Sequence, residues 1–462
     1  MKQRDRWITA GIVALAVALR IAAVLALQSH RVPRSTYEHG EIAANLLAGR
    51  GFSTRFLGAE GSTSQQAPVY PVIVALAYTI GGVGTPFSLL LLQFGQAVLG
   101  GCLALGVIRL GCKVAPNRPS VGLLAGLIVA VYPTLIYAAT HVQVALLAAT
   151  LLCWTLFWAY RTGVTGQSGA ALVTGSLLAL GDLTDPILAL GVAGVIWAIV
   201  QGRRVASPTF WIADTTRLLG RVTLAAVVGI TPWTIRNWLV HGELVPIKST
   251  FGYAFWQGNC AQSEGTDKVL RPMVERMLQS GAGGGLSEFN RSLWRARHVA
   301  GYLDDVALSR EDLETLPSMS EPQRSRVLFR RAIRELNAEP GRYLDLCLRR
   351  WRYFWLFDET NPKTRVATYR VCHLSLSLAA IVGLAVAHHE VRRSLLPTLA
   401  VALAVALFHT LTIVSARFHI PIEPLLALWA AAGITIGKPR RRLCPAGDHI
   451  ERVRVAGRLG RQ

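Results

Sequence analysis

Three short stretches of this chain place groups capable of acid–base and anion chemistry directly beside long apolar runs. They are Tyr37-Glu38-His39-Gly40-Glu41, the segment from Trp233 to Lys248, and Arg417-Phe418-His419-Ile420-Pro421-Ile422-Glu423. A carboxylate at Glu38, just past the first apolar run, can take a proton from an attacking hydroxyl or amine. Glu41 lies one helical turn away and shares a face with it. By position alone, Glu38 reads equally as a loop carboxylate in solvent. Arg236 and Arg417 each sit at the end of an apolar run among aromatic residues. A guanidinium there can hold a lipid phosphate through two parallel hydrogen bonds. A single such arginine is also an ordinary membrane-interface anchor; two of them, with Lys248 on the same side, favour phosphate. His39, His141, Gln143, Asp185 and His419 fall in neighbouring polar turns and are candidate substrate contacts. Asp185 would serve as well to cap a helix.

Positioning these groups falls to membrane helices. Of 462 residues, 52% are hydrophobic and 16% charged, and the mean hydropathy is +0.38. A soluble chain carries roughly 25% charged residues, and several apolar runs here approach the roughly 20 residues that cross a bilayer core. Disorder, collagen and a small disulfide scaffold are excluded. The expected class is an all-α polytopic membrane protein. Lys and Arg number 48 against 27 Asp and Glu, a net charge of +21. In a soluble chain that would suggest nucleic acid. Here the basic residues punctuate apolar spans, which fits topology and anionic lipid, and no nucleic-acid partner is expected.

The first span, Trp7 to Gln28, follows Lys2, Arg4 and Arg6 and is longer than the core of a cleavable signal peptide. It reads as a retained helix with a cytoplasmic N-terminus, its Arg20 facing the bundle interior or snorkelling outward. Residues 29–86 form a first outer loop. It contains a helix over Glu41–Leu47 with a stop at Gly49, a polar turn from Gly58 to Gln66, and an apolar stretch opened by Pro68-Val69-Tyr70-Pro71. At about 15 residues that stretch is short for a crossing and is placed in the interface. About ten crossings then follow, near 7–28, 88–110, 120–140, 143–160, 170–183, 187–200, 218–232, 369–387, 395–414 and 420–437. Every short basic cluster falls on one side, among them Arg203-Arg204, Arg392-Arg393 and Arg440-Arg441-Arg442. A full crossing at Pro71 would put most of them outside.

The resulting layout has an N-terminal membrane part (1–239), an extracytoplasmic segment (240–365), C-terminal membrane helices (366–437) and a basic cytoplasmic tail (438–462). The extracytoplasmic segment is expected to hold helices at Pro322–Leu336 and Gly341–Phe357 and a mobile loop at Gly281–Gly285. No P-loop, strand-borne G-x-G-x-x-G or H-E-x-x-H is present, so the soluble nucleotide-binding folds are absent. No C-x-x-C spacing points to a metal cluster, and no metal ligands are assigned. A Cys260–Cys347 disulfide is the one pairing within the large polar segment.

At these segments the chain resembles a known family. Tyr37-Glu38-His39-Gly40-Glu41-Ile42-Ala43-Ala44-Asn45-Leu46-Leu47-Ala48-Gly49-Arg50-Gly51-Phe52-Ser53 is similar to the first-loop signature of polyprenyl-phosphate-sugar-dependent glycosyltransferases. These are of the C-type superfamily, family 39 kind, which includes protein O-mannosyltransferases and lipid A aminoarabinose transferases. Ala67-Pro68-Val69-Tyr70-Pro71 resembles the opening of that family's interfacial helix. Pro232-Trp233-Thr234-Ile235-Arg236-Asn237, Arg417-Phe418-His419-Ile420-Pro421-Ile422-Glu423-Pro424 and Glu339-Pro340-Gly341-Arg342-Tyr343 resemble the bacterial branch. So does Arg349-Arg350-Trp351-Arg352-Tyr353-Phe354-Trp355. The resemblance runs from the first helix to the last.

It implies transfer of a sugar from an undecaprenyl- or dolichyl-phosphate carrier to a lipid, glycan or protein acceptor, by inverting displacement on the outer face of the cytoplasmic membrane. A first-loop carboxylate would be the base, and basic residues would hold the departing lipid phosphate. Where many members carry Asp, Ser35 stands here, which makes Glu38 the nearest substitute and Glu41 the second. No cofactor is implied with certainty; a divalent cation is compatible. Two other readings remain: a transporter or flippase for lipid-linked or anionic solutes, and an inactive scaffold that binds polyprenyl lipids. Against transport, no internal repeat is evident and the polar residues gather at one face rather than midway.

Overall fold

A computed structural model describes residues 3–33, 35–269, 271, 273–280 and 284–435. The basic tail and Gly281–Gly283 of the glycine run lie outside the described residues. The chain opens with α1 (Gln3–Leu27), α2 (Tyr37–Leu47), β1 (Ser53–Phe56), β2 (Ala59–Ser62) and α3 (Val69–Gly81). A first group of bundle helices follows: α4 (Pro86–Val114), α5 (Pro119–Val131), α6 (Pro133–Ala138), α7 (Ala145–Thr165), α8 (Ser168–Asp182), α9 (Val192–Ala206) and α10 (Trp211–His241). The polar segment contributes α11 (Phe251–Asn259), α12 (Met273–Ser280), α13 (Leu286–Val299), α14 (Asp304–Ala307), α15 (Arg310–Thr315), α16 (Glu321–Ala338) and α17 (Pro340–Trp355). The last bundle helices are α18 (Ala367–Val386), α19 (His389–Leu411) and α20 (Glu423–Ile434).

Seven of these, α1, α4, α7, α9 with the turn before it, α10, α18 and α19, are long and apolar enough to cross a membrane. The pair α5–α6, α8 and α20 stand at the other three positions where the sequence places crossings. The protein is an all-α polytopic membrane protein. At 13 residues, α3 is about 20 Å long, well short of a ~30 Å hydrocarbon core, and it packs on α2 and α4. Helix α4 is central, touching α1, α3, α5 and α7, while α8 packs on α10 and α18 on α20. Small residues set these approaches, as between membrane helices generally. A Cβ on Gly111 would stand 2.4 Å from the Gly122 backbone, and one on Gly433 2.3 Å from that of Gly383.

Arg20 resolves inward. Pro133 forces Tyr132 into extended backbone (ψ 117°), so α5 ends inside the bundle with unpaired carbonyls. The fully buried Arg20 guanidinium donates to Ala130 O at 3.2 Å, Val129 O at 3.1 Å and Ala16 O at 2.9 Å.

Three expectations change. The stretch read as a polar turn from Gly58 to Gln66 contains β2, which pairs antiparallel with β1 in the register Phe56↔Ala59 to Ser53↔Ser62. Four-residue strands carry too little periodicity to separate from a turn. Helix α10 runs through Pro232 to His241 rather than ending there, because a membrane helix tolerates the single lost hydrogen bond. Cys260 and Cys347 are both free thiols.

Replacing Arg20 with Leu leaves the α5 carbonyls unsatisfied in an apolar interior. The expected loss is on the order of 3 kcal/mol, read as a lower thermal-unfolding midpoint of the detergent-purified protein.

Candidate functional site

The first loop is held at one end of the bundle by polar contacts from distant helices. Arg236, near the end of α10, donates to Thr63 O at 2.6 Å and Phe52 O at 3.0 Å and lies over the Phe52 and Trp233 rings. The buried Glu321 carboxylate, at the start of α16, accepts from Thr63 Oγ1 at 2.6 Å and Ser64 N at 2.7 Å. Arg324 donates to Phe56 O at 2.6 Å. From α2, Glu41 accepts the Arg55 amide at 2.9 Å and Asn45 donates to Ser53 O at 2.8 Å. The hairpin is thereby fastened to α2, α10 and α16. A cavity of about 260 Å³ lies between the hairpin, His241, Glu321 and Arg324, away from the charged cleft described next.

That cleft forms where the chain folds back on itself twice. Thr266 bridges in parallel to Val414, and Lys268 bridges antiparallel to Tyr302. Val414 N donates to Gly265 O and Leu303 N to Asp267 O, each at 3.1 Å. These bonds hold Asp267 and Lys268 between the turn that carries Arg417 and the end of α13. Lys268 lies 4.0 Å from the Tyr302 ring centre, and Arg297 lies over Trp294 at 4.7 Å and Tyr37 at 5.8 Å. Tyr37 starts α2 in the left-handed region (φ 47°), an uncommon conformation for an aromatic residue, and its ring stacks near Trp294.

Electrostatics tie these groups into one site. Burial lowers Arg417, but Asp267 and Glu38, with Tyr302 and Tyr37, outweigh it and leave its pKa raised. Burial lowers the Lys248 ammonium; Asp185 and Glu38 oppose that shift and Arg417 reinforces it. Lys248 donates to Gln66 Oε1 at 3.2 Å. Burial also lowers Lys268, against the pull of Asp267, with Arg297 and Arg417 adding to the depression. His39 packs edge-on against Tyr70 with centroids 5.0 Å apart; burial, then Lys248 and Arg417, push its pKa down to about 3, so the ring is neutral.

The charges of Glu38, Lys248 and Arg417 act on one another, those of Lys248 and Arg417 act on His39, and that of Asp185 acts on Lys248. Asp185 also accepts the Ile187 amide at 3.3 Å as a cap. His141 is buried, stacks on Trp294 at 4.8 Å, and borders the cleft near Arg297 and Lys363; Gln143 sits in the same turn beside Tyr70. Arg236 and Glu41 are set apart, engaged with the hairpin backbone. His419 faces the bundle interior, two residues beyond Arg417, with its Nε2 2.8 Å from Tyr369 Oη. Ser35 is buried just ahead of α2.

Asp267, Lys268, Arg297, Tyr302, Lys363 and Asp358 are the cleft residues that sequence reasoning missed. None lies at the end of an apolar run, the one signal used to find the others. Asp358 positions Arg417: its Oδ1 accepts from Thr360 N at 3.0 Å and its Oδ2 from Ala416 N at 3.2 Å.

Compared by sequence, the chain matches no family model and no curated protein. Compared by structure, it is similar to the archaeal oligosaccharyltransferase AglB from Archaeoglobus fulgidus in complex with an inhibitory peptide and a dolichol-phosphate. The two align at 12% identity with a TM-score of 0.54, over 94% of this chain and 51% of that one. The apo Archaeoglobus fulgidus oligosaccharyltransferase aligns at 11% identity and a TM-score of 0.52, over 93% and 51%. The chain shares its fold with the oligosaccharyltransferase. It spans about half that protein's length. ArnT from Cupriavidus metallidurans bound to undecaprenyl phosphate aligns more loosely, at 13% identity and a TM-score of 0.34, over 92% of this chain and 77% of that one.

Burial pushes the Asp358 carboxyl up to about 6, against the hydrogen bonds from Thr360 and Ala416. A folded-state pKa above the ordinary ~4 means the protonated form is favoured by folding. Its stabilisation is present below pH ~4 and is lost as pH rises through about 6. Asp358→Asn should therefore flatten this part of the stability–pH profile, measured by thermal unfolding in detergent.

Proposed function

We propose that this chain is a membrane glycosyltransferase that moves a sugar from a polyprenyl-phosphate donor to a lipid, glycan or protein acceptor. The observation that supports the reading is that the charge of Glu38 acts on both Lys248 and Arg417 at one end of the bundle. The family 39 resemblance of the first loop and the fold shared with the oligosaccharyltransferase support it. On the topology expected from the basic clusters, this end faces away from the cytoplasm and both termini face it. The membrane is then the cytoplasmic membrane of a cell whose donors are polyprenyl-linked.

In this reading the donor's lipid tail stays in the bilayer and its phosphate enters between Lys248 and Arg417, with Arg297 and Lys268 completing the cationic wall. Glu38 takes the proton from the acceptor hydroxyl or amine as that atom bonds to the anomeric carbon. The bond from the anomeric carbon to the phosphate oxygen breaks on the opposite face, which inverts the configuration, and the lipid phosphate departs. Fixed cations stabilise the charge that develops on it, and holding both reactants in line supplies much of the rest. The leaving group belongs to the donor, so a nucleotide site is not required. Neutral His39 beside Lys248 and Arg417 adds no competing charge.

Glu38→Gln should lower transfer from a labelled polyprenyl-phosphate sugar by roughly 10²–10⁴-fold while donor binding and membrane insertion persist. Arg417→Ala should weaken donor binding instead. Full transfer by Glu38→Gln overturns the assignment of the base. Donor binding by the wild type without turnover favours the scaffold, and translocation between vesicle leaflets favours the transporter.

A further inference from the structure

Three ligating side chains, from α18, the turn before α20 and the first residue of α20, converge in the bundle interior. His373, His419 and Glu423 are all buried, and one donor atom of each lies within 4.8 Å of the others. His419 Nδ1 stands 3.0 Å from Glu423 Oε1. Among the described residues neither atom has a hydrogen bond of normal geometry, and the same holds for Glu423 Oε2 and His373 Nδ1. Four unsatisfied polar atoms facing one another in an apolar interior are costly and are seldom left so.

The opposite edges of both imidazoles are engaged. His373 Nε2 lies 3.1 Å from Trp355 O, the carbonyl at the end of α17. A carbonyl can only accept, so Nε2 carries the proton and Nδ1 presents its lone pair. His419 Nε2 lies 2.8 Å from Tyr369 Oη. A ring nitrogen held by a carbonyl or hydroxyl, with the other nitrogen turned toward a shared point, is the arrangement that orients metal-ligating histidines. The Tyr132 hydroxyl also borders the carboxylate.

We propose that His373, His419 and Glu423 bind a divalent transition-metal ion, with zinc the best match to two imidazoles and one carboxylate. A tetrahedral zinc with bonds of ~2.0–2.1 Å needs donors about 3.3 Å apart, so the His419–Glu423 pair is already close and His373 needs only a small rotamer change. The fourth position falls to water or to the Tyr132 oxygen. Lys363 is the cation facing Glu423 from the other side, and it shares the carboxylate charge with the ion. The site would fasten α18 and α20 to the end of α17 directly beneath the turn that carries Arg417. This inference is independent of the glycosyltransferase reading.

The test uses the full chain, purified in detergent, stripped with EDTA and re-equilibrated with zinc alone. Elemental analysis should find about one zinc per chain, and zinc should raise the thermal midpoint, as expected when only the folded state binds. His373→Gln and Glu423→Gln should each lower zinc affinity by more than tenfold, with monodisperse gel filtration showing that they fold. Should either fail to fold, Tyr369→Phe provides the milder case, with affinity reduced by about tenfold. Cobalt substitution should give a ligand-field spectrum without thiolate charge transfer, which separates this site from the cysteines. Glu38→Gln should keep its full zinc content, so the two readings fail separately. A monodisperse wild type that takes up no zinc, cobalt or manganese overturns the proposal, as does undiminished zinc in both ligand variants.

Discussion

The cleft depends on two backbone bridges, Thr266 to Val414 and Lys268 to Tyr302. They are few, but they lock three segments from distant parts of the chain into one register. Between them they hold Asp267 and Lys268 beside the segment that leads to Arg417. A side-chain contact alone would leave flexible cations to repel one another. Main-chain hydrogen bonds remove that freedom before any ligand arrives, which is the condition for electrostatic stabilisation without reorganisation.

Arginine serves two different purposes in this molecule. Arg20, Arg236, Arg324, Arg342 and Arg350 are committed to backbone carbonyls where helices and loops end. Arg350, fully buried, donates to Thr410 O at 2.6 Å and Gly258 O at 2.7 Å, and Arg342 donates to Cys260 O at 2.6 Å. Each replaces solvent for carbonyls that the bundle hides, as buried polar groups require. Arg417 and Arg297 differ because carboxylates and aromatic rings, not carbonyls, surround them. Arg236 and Arg417 look alike by position and separate only by their acceptors.

The same requirement makes the His373–His419–Glu423 group unusual. Other buried polar side chains reach nearby acceptors singly: Gln96 reaches the Ala139 and His141 carbonyls, and Trp429 Nε1 donates to Thr398. Two imidazoles whose outer nitrogens are engaged and whose inner nitrogens face a buried carboxylate stand apart from that pattern.

Much of the architecture was legible in the sequence. Helices at the ten positions read as spans, seven of them long and apolar enough to cross a membrane, the short α3 and the helices α16 and α17 follow from apolar periodicity and its interruption by proline and basic residues, quantities summed over neighbouring positions. Glu38, Lys248 and Arg417 stand out in the sequence as candidates because each stands where an apolar run gives way to polar chain. The β1–β2 hairpin, the passage of α10 through Pro232, and the places of Asp267, Lys268, Arg297, Lys363 and His373 were decided only by tertiary structure. Hydropathy is local, whereas the bridge of Thr266 to Val414 joins residues nearly one hundred and fifty positions apart and leaves no period along the chain. Whether a charged side chain binds a ligand or closes off a carbonyl depends on which backbone group the fold places beside it.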